Sequence, residues 1–156
     1  MLSDSAEVTR AFGRAIGAAL APGELVLLEG PFGAGKTVLV QGMAEGLGID
    51  DPVTSPSFVL MVEHEGARRL VHVDFFRIER ADTALIASIE EYLDAGWIVA
   101  IEWPDWLPRS LAGEATIVRI ESLAEHHRRI TVHSRSQTVM SSVRSYPNPP
   151  LVRPGT

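Results

Sequence analysis

Cysteine is missing from this chain of 156 residues, which excludes disulfides and thiolate-held metal centres. No apolar run approaches the roughly 18–20 residues needed to cross a bilayer. Met1-Leu2-Ser3-Asp4 lacks the basic start and apolar stretch of a signal peptide. A cytoplasmic protein with no membrane partner is therefore expected. Positive charge is scarce: 14 Lys and Arg face 20 Asp and Glu, for a net charge of −6. Direct grip on nucleic acid needs a basic patch, so any role with RNA is expected to be indirect. Lysine is scarcest of all. Lys36 is the one lysine among those 14 basic residues, so arginine evidently does not serve at that position. A compact ammonium on a flexible stem can reach between two anionic groups, where a planar guanidinium fits poorly.

What is present suits a globular domain, with 46% apolar residues and a length that supports one core. Asp4 with Glu7 resembles a capping box ahead of an apolar stripe at Val8, Phe12, Ile16 and Leu20. Ala21-Pro22-Gly23 ends that helix. Glu24 to Leu28 reads as a buried strand, and Lys36 to Leu47 as a helix. Phe58 to Val62 and Arg69 to Asp74 read as a hairpin turning at Glu65-Gly66. A helix over 81–92, a strand from Trp97 to Ile101, and strands at Thr116 to Ile120 and Ile130 to Val132 complete the pattern. The implied class is α/β, a mostly parallel sheet flanked by helices, with β-hairpin elements. The last sixteen residues hold four prolines. The chain is accordingly divided into a folded domain over 1–135 and a disordered tail or linker over 136–156.

Gly30-Pro31-Phe32-Gly33-Ala34-Gly35-Lys36-Thr37 matches G-x-x-x-x-G-K-[ST], between a predicted strand and a predicted helix. Glycines let successive N–H groups converge on an anion, and the helix N-terminus adds its dipole. Gly30, Gly33, Ala34, Gly35, Lys36, Thr37 and Val38 are the expected nucleotide contacts. Lys36 is expected on the β- and γ-phosphates, and the Thr37 hydroxyl on Mg²⁺. Pro31 gives up an N–H, but early in the loop, ahead of the donors the cradle uses. Such a site also needs a strand-end carboxylate to hold Mg²⁺ through water. Asp74 and Glu102 each end an apolar run and are both candidates. Asn148 is the sole asparagine, so no N-K-x-D guanine-reading motif exists and ATP is the expected nucleotide. Near Asp74, His72 reads as a core histidine or a support for an acid rather than a metal ligand.

The blocks Leu28 to Thr37, Val53-Thr54-Ser55-Pro56-Ser57-Phe58, His72 to Arg77, Glu91-Tyr92-Leu93 and Ile101-Glu102-Trp103-Pro104 together resemble the bacterial TsaE (YjeE) family. Those proteins are small P-loop ATPases needed to make threonylcarbamoyladenosine in tRNA. The resemblance implies phosphate and Mg²⁺ binding by Lys36 and Thr37, a metal-linked Asp74, and an active-site Glu102 that also approaches the metal, with Trp103 beside it. It implies a nucleotide-responsive loop at Thr54 and Ser55. It implies ATP and Mg²⁺ as cofactors, TsaD and TsaB as partners, and tRNA met only through their complex. There an ATPase cycle resets the assembly. The family usually has aspartate at Pro31, leucine at Phe32 and tyrosine at Phe76, so any role of those side chains differs here. The competing readings are a small-molecule P-loop kinase and a nucleotide sensor with negligible hydrolysis. The kinase reading lacks a helical lid with arginines. The sensor reading leaves Glu102 without a task.

Overall fold

Apolar runs without alternation suit strands buried on both faces, and three such runs form the centre of a single sheet. In this computed structural model, which describes residues 1–80 and 83–147, the elements run β1 (Leu2–Ser3), α1 (Ala6–Ala19), β2 (Leu25–Glu29), α2 (Lys36–Gly46), β3 (Met61–Glu65) and β4 (Arg69–Asp74). They continue with α3 (Thr83–Asp94), β5 (Ile98–Glu102), a short α4 (Arg109–Ala112), β6 (Thr116–Ser122), β7 (Arg128–His133) and α5 (Gln137–Ser145). The sheet order is β1-β7-β6-β2-β5-β4-β3. β6, β2, β5 and β4 are parallel, and the flanking β7, β1 and β3 pair antiparallel. This is the expected α/β class, a mostly parallel sheet with hairpins at its edges.

The two sheet faces carry separate cores. One joins Phe12 and Ile16 of α1, Leu39 and Met43 of α2, and Val139 of α5 to Val26, Leu70 and Ala100 of the sheet. The other joins Ile89 of α3 to Val71, Val73, Val99 and Ile101. Small residues let α1 and α2 approach closely. A Cβ at Gly13 would lie 2.3 Å from the Leu39 carbonyl oxygen, and one at Gly42 would lie 2.0 Å from that of Arg10. This contact fixes α2, and with it the P-loop, against the sheet.

Four local expectations are corrected. Ser5, not Asp4, caps α1: it has extended backbone (φ −156°, ψ 160°) and its side chain accepts from Val8 N–H. A two-residue edge strand, β1, precedes that helix and pairs with β7. The first hairpin strand starts at Met61 rather than Phe58. Pro56 C=O accepts from the N–H groups of both Val59 and Leu60, and Leu60 has φ 70°, so residues 56–60 turn instead of extending.

The fourth correction concerns the proline-rich end. Residues 137–145, expected as part of a disordered tail, form α5. Ser136 caps it, accepting from Val139 N–H at 3.4 Å. Val139 is fully buried, Ser142 Oγ donates to Ala15 C=O at 2.9 Å, and Tyr146 meets Phe12 edge-on at 5.0 Å. The first two prolines of the tail's end come only after this amphipathic turn is complete. The expectations for 81–82 and 148–156 lie outside the described residues.

Candidate functional site

β2 ends at Glu29, and the chain turns through Gly30 to Gly35 into α2. Gly35 is the helix N-cap with φ 104°, a left-handed conformation that favours glycine. Gly30 has φ 153°, and a Cβ there would lie 2.5 Å from the Ile120 carbonyl oxygen. Both positions therefore require glycine. Lys36 is 5% exposed. Its ammonium donates to the carbonyls of Gly30 at 2.6 Å and Pro31 at 3.1 Å. Burial lowers its pKa below the ordinary lysine value, while Glu102, Asp74 and Asp105 oppose that shift.

The strand-end acids meet this loop from the neighbouring strands. Asp74 and Glu102 are register partners on parallel β4 and β5, and both are nearly buried. Thr37 Oγ1 donates to Glu102 Oε1 at 2.8 Å. His72 Nε2 lies 2.8 Å from the same oxygen. Asp74 Oδ2 accepts from Ser57 Oγ at 2.9 Å and Oδ1 from Phe76 N–H at 2.8 Å. Ser57 and Ser55 hydroxyls are 2.6 Å apart. Each acid thus accepts from one hydroxyl, Thr37 for Glu102 and Ser57 for Asp74.

A cleft of about 440 Å³ opens between these groups, lined by the stretch from Phe32 to Val38 with Ser55, Ser57, Asp74, Phe76, Glu102 and Trp103. Its roof is aromatic. Phe32 and Phe76 have ring centroids 6.1 Å apart, and Phe76 and Trp103 5.0 Å. The Lys36 ammonium sits 3.7 Å from the centre of the Trp103 ring, within cation–π range. Trp103 has φ 59° and ψ 60°, a conformation that costs a non-glycine residue about 1–3 kcal/mol. A second cleft, of about 460 Å³, is bordered by Arg10, Glu45, Asp50 and Asp51 and contains no residue of the Gly30–Thr37 loop; Arg10 is already paired with Glu45. Its carboxylates suit no anion.

The expected site residues are placed as follows. Gly33, Ala34, Gly35, Lys36, Thr37, Val38, Asp74, Glu102 and Trp103 line the same cleft, and Gly30 lends its carbonyl to Lys36. Thr54 is exposed and outside the lining, where Ser55 and Ser57 stand instead. The bond from Ser57 to Asp74 and that between His72 and Glu102 escaped sequence reasoning. The proximity of Ser57 to Thr54-Ser55 and of His72 to Asp74 was the available signal. Among the described residues no group of three or more His, Asp or Glu gathers as a metal cage. Two carboxylates and one hydroxyl suit Mg²⁺, a hard ion that keeps several waters and takes other oxygens from phosphates. Thr37, Asp74 and Glu102 are the residues that could hold it.

Comparison with known proteins identifies the chain's relatives. A model of the family described as "Threonylcarbamoyl adenosine biosynthesis protein TsaE" matches residues 3–130. A protein of Treponema pallidum named tRNA threonylcarbamoyladenosine biosynthesis protein TsaE is 34% identical over 139 residues, covering 84% of this chain and 97% of its own. The protein of that name from Bacillus subtilis is 34% identical over 126 residues, covering 80% and 78%. The crystal structure of Bacillus subtilis YdiB superposes with a TM-score of 0.76 at 27% identity over 92% of each chain. No helix among the described residues is long and apolar enough to cross a membrane.

Proposed function

This chain belongs to the TsaE family and serves tRNA threonylcarbamoyladenosine biosynthesis; from that premise we propose that it does so by binding ATP with Mg²⁺ and hydrolysing it slowly, in complex with TsaD and TsaB. The observation that carries this reading is convergence. Lys36, Thr37, Asp74 and Glu102 come from three separate elements and meet in one cleft. Lys36 binds the β- and γ-phosphates from the helix N-terminus, and the N–H groups from Gly33 to Val38 take the remaining phosphate charge. Thr37, Asp74 and Glu102 would hold Mg²⁺, which would neutralise phosphate charge. Glu102 orients the attacking water or accepts its proton. Trp103, Phe76 and Phe32 shield the phosphates from bulk water.

Slow turnover by the isolated protein follows from its arginines. An arginine finger contributes about 10³–10⁵-fold in other P-loop enzymes. Arg77 stacks on Phe58 with 4.4 Å to the ring centre, and Arg128, which donates to the Ala34 carbonyl at 3.2 Å, is tied to the carbonyls of Ala124, Glu125 and His127. α3 carries no arginine, which also leaves the kinase alternative without a lid. The acidic chain meets tRNA only through its partners.

The test is a reconstitution. The protein is mixed with TsaB, TsaD, tRNA and ATP·Mg²⁺, and multiple-turnover formation of the modified base is followed with ATP hydrolysis. The expected result is slow hydrolysis by the protein alone, faster hydrolysis with the partners, and repeated turnover only when it is present. Equal turnover without it, or fast partner-independent hydrolysis, overturns the reading.

A further inference from the structure

His72 has no task in the reading above, yet its surroundings are unusual. It is completely buried in β4. β4 and β5 run parallel with His72 opposite Ala100 and Asp74 opposite Glu102. His72, Asp74, Ala100 and Glu102 consequently share one sheet face, since side chains alternate along a strand. His72 is the diagonal neighbour of Glu102, and its Nε2 lies 2.8 Å from Oε1. Its Nδ1 is buried with no hydrogen-bond partner among the described residues.

The contact constrains the ring. A carboxylate only accepts, so the ring must present Nε2–H to Oε1. The bare Nδ1 then leaves no donor unsatisfied. We propose that His72 is the positioning residue of this site: its Nε2–H fixes the Glu102 carboxylate so that Oε2 faces the reacting phosphate. Both protein donors to Glu102, Thr37 Oγ1 and His72 Nε2, fall on Oε1, and among the described residues Oε2 accepts no bond. Thr37 is also the expected Mg²⁺ ligand. If its hydroxyl turns to the ion, His72 is the donor that stays. The imidazole ring, packed in the sheet, cannot follow a wandering carboxylate and so holds it to one rotamer. Loss of such a supporting bond typically costs about 10–100-fold in activity.

The inference rests on the ATPase reading for its kinetic part but not for the contact itself. Two substitutions separate position from bulk. The amide nitrogen of His72→Gln overlays Nε2 and can donate to Oε1, whereas that of His72→Asn overlays Nδ1 and cannot reach it. The measurements are thermal unfolding, ATP·Mg²⁺ affinity, and single-turnover hydrolysis with TsaB and TsaD. His72→Asn is expected to bind ATP within about threefold of wild type and to hydrolyse it roughly 10–100-fold more slowly, with His72→Gln restoring most of the rate. Equal rates for the two variants, or affinity lost in step with rate, overturn the proposal.

A second readout needs no activity. In wild-type protein carrying ¹⁵N-histidine, nuclear magnetic resonance should show His72 as the neutral Nε2–H tautomer, and Glu102→Gln should shift its Nε2 resonance. An Nδ1–H tautomer, or no response to Glu102→Gln, overturns the contact. Failure of the wild type to hydrolyse ATP would instead overturn the functional reading and leave this spectroscopic result to decide the contact.

Discussion

The ammonium of Lys36 lies against the face of Trp103, 3.7 Å from the ring centre, while it donates to the carbonyls of Gly30 and Pro31. Phosphate bound by Lys36 would compete with the ring for the ammonium. Trp103 should therefore report nucleotide binding. In a Trp97→Phe, Trp106→Phe background, ATP·Mg²⁺ is expected to change the emission of Trp103. Lys36→Ala should shift the emission of the free protein and remove the response. It should also weaken ATP binding by at least 10-fold, since a hydrogen bond to a charged group is worth about 1.5–3 kcal/mol. The fold should persist, because burial of that ammonium costs stability. Wild-type affinity in folded Lys36→Ala protein would contradict the site assignment.

α5 is predicted to stabilise the domain without serving the nucleotide. Truncation after Ser136 removes buried Val139, the bond from Ser142 to Ala15 and the Tyr146–Phe12 pair. A fully buried side chain contributes about 1.5–3 kcal/mol and an aromatic pair roughly 0.5–1.5 kcal/mol more. Urea unfolding should show a loss of that order. Under conditions where the truncated chain is folded, calorimetry should give unchanged ATP affinity. An unchanged unfolding midpoint would show that the helix contributes nothing.

His64 makes stability pH-dependent. It is 6% exposed, and its Nε2 has no hydrogen-bond partner among the described residues. Burial lowers its pKa below 6.5, against an attraction from Asp51. The unfolded chain therefore binds the proton more readily, and stability is fully present above the unfolded value. It is lost as pH falls from about 6.5 towards the lower folded value. The difference in urea midpoint between about pH 7 and pH 5 should shrink in His64→Leu relative to wild type. An identical pH dependence in the two proteins would remove His64 as the cause.

The parts of this site that could be read from the sequence are those encoded locally. The P-loop is one contiguous motif, and Asp74 and Glu102 were visible because each terminates an apolar run. The bond between His72 and Glu102 depends instead on β4 and β5 being register neighbours across 30 residues, which no local pattern carries. β1 was invisible for the same reason, as two residues defined only by pairing with Arg128 and Arg129. In α5 the periodicity of Val139, Met140, Val143 and Tyr146 was present but was outweighed by the prolines that follow it. Phe58 and Val59 looked like strand residues on propensity. They are 84% and 66% exposed on a turn, where β propensity has no sheet to act in.

Asp74 and Glu102 face the same cleft yet should fail differently when neutralised. Asp74 is the shorter acid, and its carboxylate is held by Ser57 Oγ and Phe76 N–H. Its remaining capacity suits water bound to Mg²⁺ rather than the nucleophile. Glu102 reaches one methylene further and touches Thr37, the first residue after the P-loop lysine. Lys36 and the ion offset the repulsion between the two acids. Asp74→Asn keeps an oxygen for the Phe76 N–H but loses the charge. It is expected to weaken ATP binding in a Mg²⁺-dependent way, by roughly 10–100-fold, the range found when outer partners of a metal are lost. Raising Mg²⁺ should recover part of that loss. Glu102→Gln retains its shape and should bind ATP within a few-fold of wild type while its hydrolysis rate collapses, as for an interaction used only in the transition state. ATP affinity at several Mg²⁺ concentrations and single-turnover hydrolysis with TsaB and TsaD distinguish the two variants. Wild-type hydrolysis by Glu102→Gln, or an exchange of the two phenotypes, would show that the acids divide the work in another way.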